Sequence, residues 1–154
     1  MAPRPCWHTQ LGSPGVQSLH MFPVCCPQLL RGPHALKQPS ALIHHRLLHE
    51  DDGTQWRRWL LEARLPYPGD ADVHLVDFGI ALQAARDGYG VALSDEINSS
   101  LDLDEGRLVQ PFTLKVPTRM DYFCICNEES RSISEVALLI DWLIEQARLA
   151  PVYP

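Results

Sequence analysis

The stretch DVHLVDFGIALQAARDGYGVALS, residues 72–94, decides the fold. Its opening, DVHLVDF, alternates and carries valine and leucine, which predicts a strand from about Asp72 to Val76. Asp77 then stands as the N-cap of a helix through FGIALQAARD, and Gly88 is placed to adopt the left-handed conformation that stops it. VALS follows as a buried strand. Strand, capped helix, glycine stop and strand make a βαβ unit, and such units build parallel sheets covered by helices. The start of the helix faces the carboxyl ends of the strands. Free N–H groups at Asp77, Phe78 and Gly79, together with the helix dipole, favour an anion or a carboxylate-bearing small molecule there; the plain alternative is that Asp77 only caps its own helix.

Upstream, more than half of the prolines lie before residue 40, so this third cannot hold long helices or central strands. The first 17 or so residues read as an irregular tail. An extended segment is expected from Leu19 to Cys25, then a brief helix beginning at Pro27 and a strand near Arg46 to His49. Asp51 and Asp52 are N-cap candidates for a helix through TQWRRWLLEAR, where Trp56, Trp59, Leu60 and Ala63 recur at helical spacing and Pro66 and Pro68 end it. Downstream of an acidic linker, SDEINSSLDLDEG, the runs RLVQPF and MDYFCIC read as strands. In SISEVALLIDWLIEQARLA, Ser132 and Glu135 form a capping box, and Val136, Leu139, Ile140, Leu143, Ile144 and Ala147 form one apolar stripe that needs a sheet to cover.

The chain has 154 residues, enough for one domain with a real core, and a formal net charge of −6. That charge opposes direct DNA contact, because nothing supplies the basic field a phosphate backbone requires. No apolar run is long enough to span a bilayer and the N-terminus lacks the order of a secretory signal, so a cytoplasmic location is expected. Five cysteines, Cys6, Cys25, Cys26, Cys124 and Cys126, have spacings that suit reduced thiols better than a disulfide framework. Cys124 and Cys126 share one side of an alternating strand, where cysteine behaves as a small hydrophobe.

Residue type and spacing raise three candidate chemistries. His44, His45 and His49 with Glu50, Asp51 and Asp52 bring metal-ligand types together. On a strand, however, His45 and His49 lie too far apart to chelate one ion, and no H-E-x-x-H or C-x-x-C partner occurs, so no metal is expected. No G-x-S-x-G elbow is present, and the one catalytic candidate is a thiol at Cys25 or Cys26, just before the helix start at Pro27. GYG at residues 88–90 is too short for a dinucleotide fingerprint and comes at a helix end, where no phosphate-binding N–H groups point, so no cofactor is implied.

The blocks MFPVCCPQLL, LIHHRLLHEDDGTQWRRWLLEA, DFGIALQAARDGYGVALS, EGRLVQPF, DYFCICNEES and DWLIEQA run collinearly from about residue 19 to 149. In that order they resemble the effector-binding region of LysR-type transcriptional regulators, nearest the subgroup that contains the glycine-cleavage activator. The resemblance implies an α/β, type 2 periplasmic-binding-protein-like effector domain of two lobes gripping a small molecule, without catalysis. On that pattern residues 1–20 are a tail, 21–117 a complete second lobe, 118–150 the strand and helix returning to a partial first lobe, and 151–154 a tail. The winged helix-turn-helix that contacts DNA in the intact family, and through which intact homodimers act, is expected to be missing. The first strands and helices of the first lobe are expected to be missing as well, so the apolar face of the helix from Ser132 lacks much of its usual sheet and the helix is left unusually exposed or finds substitute partners.

The same resemblance places effector contacts at His49, at Asp77, Phe78 and Gly79, at Ala92 in VALS, and at Tyr122 on the returning strand. The subgroup often carries two serines at the positions of Phe78 and Gly79; Phe78 here suggests a more apolar ligand or a partly blocked site. A solute-binding module of the same fold with no role in transcription is the alternative, and a cysteine-dependent enzyme a third reading.

Overall fold

Adjacent residues of three short strands point to opposite sides and both sides are buried, which is the signature of a sheet covered by helices on each face. The computed structural model describes residues 19–68, 72–118 and 126–149. The chain divides into two units, one of which runs from His20 to Thr118.

In that unit, β1 (His20–Val24), β2 (Leu47–His49), β3 (Val73–His74), β4 (Val91–Ser94) and β5 (Val116–Pro117) form one sheet in the order β3-β2-β4-β1-β5. Strand β2 pairs in parallel with β3 on one side and β4 on the other, whereas β1 runs antiparallel to β4 and to β5. One face buries Met21, Cys25, Leu47, Val91 and Leu93 against Trp56, Trp59 and Leu60 of α1 (Thr54–Glu62). The opposite face buries Phe22, Val24, Leu48 and Ala92 against Ala81, Leu82 and Ala85 of α2 (Phe78–Arg86). Each indole on α1 also finds an acceptor: Trp56 Nε1 donates to the Leu48 carbonyl at 3.0 Å and Trp59 Nε1 to that of Leu114 at 3.3 Å.

The expected βαβ unit forms, with β2 lying between the two strands that α2 connects. Gly88 takes φ +83 after the helix, as its place in the sequence predicts. Gly90 is required for another reason: a Cβ there would stand 2.5 Å from the Arg46 carbonyl oxygen.

Four expectations are corrected. The N-cap of α1 is Gly53, not Asp51 or Asp52, and both aspartates reach forward from outside the helix to its free amides. RLVQPF is not a strand; it meets the sheet at one bridge, Val109 to Cys25. The acidic linker contains a short helix, α3 (Ser100–Asp104). The Ser132–Glu135 capping box gives way to two local bonds: the Ser132 hydroxyl donates to the Glu129 carbonyl at 2.6 Å, closing α4 (Glu128–Arg131), and the Ser134 hydroxyl donates to Glu135 at 2.9 Å.

The second unit, taken alone, contributes α4 and α5 (Ser134–Leu149) among the described residues. Of the expected stripe on α5, Ile140 is buried, Val136 and Ile144 are half-buried, and Leu139 and Leu143 are exposed. Leu138 and Trp142, off that stripe, are exposed as well. The MDYFCIC strand and the N-terminal tail lie almost wholly outside the described residues. Among the described residues no helix is long and apolar enough to cross a membrane.

Candidate functional site

Because β2, β3 and β4 are parallel, His49, His74 and Ser94 end on one edge of the sheet, and the loops that follow them carry the polar residues of the candidate site. Each loop places an aspartate where backbone amides are free. Asp77 accepts from Ile80 N at 2.9 Å and so caps α2. Asp51 accepts from Gly53 N at 2.9 Å and Gln55 N at 3.0 Å, and Asp95 from Ile97 N and Asn98 N, both at 2.9 Å.

Glu50 differs from these three. Its Oε1 accepts from Gln55 Nε2 at 2.8 Å, but Oε2 is buried without a partner. Burial raises the Glu50 carboxyl above its ordinary range, the Gln55 bond opposes this, and the negative charges of Asp51, Asp95 and Asp77 add to the rise. The edge is therefore acidic, which works against the anion expected at the start of α2.

His49 is fully buried beneath this edge. Its ring stacks on His74 with centroids 4.8 Å apart, Nε2 stands 3.4 Å from Asp72 Oδ2 and from the Tyr67 hydroxyl, and that hydroxyl donates to Asp72. Nδ1 has no hydrogen-bond partner and stands 4.0 Å from Asp51 Oδ1. Desolvation lowers the imidazole below its ordinary range, against the pull of the Asp72 carboxylate. His49, Glu50, Asp51, Gln55, Trp56 and Leu93 line a cavity of about 10 Å³, room for about one water molecule.

The structure brings His49, Asp77, Phe78 and Gly79 to the carboxyl side of the parallel strands. Gly79 and Asp77 are exposed, and Phe78 is half-buried against the core beneath α2. Ala92 is placed otherwise: it is fully buried opposite Leu48 in mid-strand, and β4 reaches the edge through Ser94, whose buried hydroxyl has no partner. Tyr122 lies outside the described residues. Cys25 and Cys26 are both buried, and burial, reinforced by Cys26, pushes the Cys25 thiol up to about 12, the opposite of an activated nucleophile.

Sequence reasoning did not single out Glu50 and Asp95 as edge residues. HEDD at 49–52 is a visible signal, but its residues suggest metal ligands, helix caps at Asp51 and Asp52 and an effector contact at His49, none of which points to Glu50.

A sequence model described as the LysR substrate binding domain matches residues 4–148. The glycine cleavage system transcriptional activator of Escherichia coli strain K12 is 28% identical over 129 residues, covering 83% of this chain and 42% of that protein. The HTH-type transcriptional activator AmpR of Pseudomonas aeruginosa is 28% identical over 148 residues, 92% of this chain and 47% of the relative. The chain thus spans a little under half the length of these relatives. Among solved structures, the effector domain of AmpR from P. aeruginosa superposes with a TM-score of 0.70 at 24% identity, over 88% of this chain and 65% of that one. The AmpR effector binding domain from Citrobacter freundii gives 0.69 at 22% identity, over 88% and 67%. The fold is the type 2 periplasmic-binding-like fold of such effector domains.

Proposed function

The chain belongs to the LysR substrate binding domain family, and on that premise we propose that it is a sensing domain that takes up a small-molecule effector at the carboxyl edge of β2, β3 and β4. One observation carries this reading: three parallel strands end together, and polar groups that the fold leaves incompletely satisfied gather there, His49 and Ser94 at the strand ends and Glu50 in the loop after β2. The start of α2 at Asp77, Phe78 and Gly79 forms the exposed part of that edge. In a regulator that couples such a domain to a DNA-reading part, occupancy shifts the populations of two domain arrangements, by as much as the effector's affinity differs between them. The similarity to two transcriptional activators supports that role.

The test is a thermal-shift screen of the 154-residue chain against amino acids, organic acids and amines. Compounds that raise the melting temperature are expected to lose their effect in Gly79→Trp, which sets an indole across the exposed start of α2. A shift of equal size in that variant places the ligand elsewhere.

A further inference from the structure

Four carboxylates meet at the edge, and three have a structural task. Asp51, Asp77 and Asp95 each accept backbone amides of the loop or helix that follows their strand. Glu50 has no such task for its second oxygen, which is buried and unpartnered, and the charges acting on it from Asp51, Asp95 and Asp77 are all negative. A second observation points the same way. His49, 1% exposed, leaves Nδ1 without a partner, facing Asp51 at 4.0 Å in the small cavity that Glu50 also lines.

We propose that this edge selects a small molecule with an ammonium or guanidinium group, which forms its ion pair with Glu50 under the combined field of Asp51, Asp77 and Asp95. The proposal rests on the reading of this edge as the effector site and names the class of effector. A water in the cavity would bring hydrogen bonds but no charge to offset four clustered carboxylates; an organic cation supplies both. A metal ion fits less well. Among the described residues no three His, Cys, Asp or Glu side chains are placed to hold one, and both oxygens of Asp51 and of Asp95 are committed to amides.

The experiment follows thermal unfolding of the full chain at pH 7.5 and physiological salt with n-butylammonium or agmatine, against butyramide and butyrate as neutral and anionic controls. The amines are expected to raise the melting temperature by about 2 °C or more. The rise should vanish in Glu50→Gln and persist in Glu129→Gln, a change at an exposed acid. Gln at position 50 can keep the Gln55 contact, and the unliganded Glu50→Gln chain should melt no lower than the wild type. Equal amine shifts in wild type and Glu50→Gln would reduce the effect to general attraction by an acidic surface and overturn the proposal. No amine shift together with a butyrate shift that Gly79→Trp removes would overturn the cationic class and leave the edge as the ligand site. No shift with any probe, and none lost in Gly79→Trp across the wider screen, defeats both.

Discussion

Gly88 and Gly90, one residue apart, are glycines for unrelated reasons. Gly88 needs a left-handed backbone, φ +83, and nothing crowds it beyond the Cys26 sulfur at 3.3 Å from a built Cβ. Gly90 needs empty space, because Arg46 O would lie 2.5 Å from its Cβ and is itself held by the 2.9 Å bond from Val91 N that begins the β2–β4 pairing. Gly88→Ala should cost about 1 kcal/mol, the strain of a left-handed alanine. Gly90→Ala should cost about 2–3 kcal/mol, since a paired backbone cannot move aside. Urea unfolding of the two variants measures the difference, and equal midpoints would contradict this assignment of roles. The two also differ in what a sequence reveals. Gly88 and the Asp77 cap depend on residues within one helical turn, so their roles are legible; the crowding at Gly90 and the orphaned oxygen of Glu50 depend on strands and loops distant in sequence.

At the scale of elements, the linker between β4 and β5 shows how a long-range ion pair turns an acidic stretch into structure. Asp102, on α3, is buried yet accepts from Arg86 Nε and Nη2 at 2.9 and 2.7 Å and from Arg107 Nε at 2.6 Å. Burial raises its carboxyl, but the Arg86 and Arg107 bonds outweigh that and hold it below the ordinary range. Asp102→Asn should therefore cost about 2 kcal/mol at pH 7, less than for a fully buried pair because the Arg107 side chain stays 44% exposed. A depressed native carboxyl stabilises the fold above its unfolded value of 3.8 and ceases to do so as the pH falls through the native value. The gap between variant and wild type in urea should accordingly narrow in strong acid; a gap that widens there would be inconsistent with this pairing. Periodicity makes β1, β2, β4, α1 and α2 readable, because their apolar spacing is local. It misses α3, whose stability comes from arginines at positions 86 and 107, and it overextends RLVQPF, where only Val109 finds a sheet partner.

For the whole molecule, topology is the least legible property. The segment 72–94 identifies a parallel βαβ unit, but nothing local announces that β2 inserts between β3 and β4 or that β1 joins antiparallel, since those pairings join residues such as Phe22 and Ser94. Collinear blocks resembling a known family supply the architecture instead, and the family match over residues 4–148 confirms it. Charge is the global property that needs no topology. With a net charge of −6, the chain repels a phosphate backbone at long range, and four of its carboxylates concentrate that field at the strand ends. The purified chain should therefore leave duplex DNA unretarded in a gel-mobility assay at physiological salt, with or without the amine probes. A specific, salt-sensitive complex would require basic contacts strong enough to overcome that field, and would locate DNA recognition in the sensing domain itself.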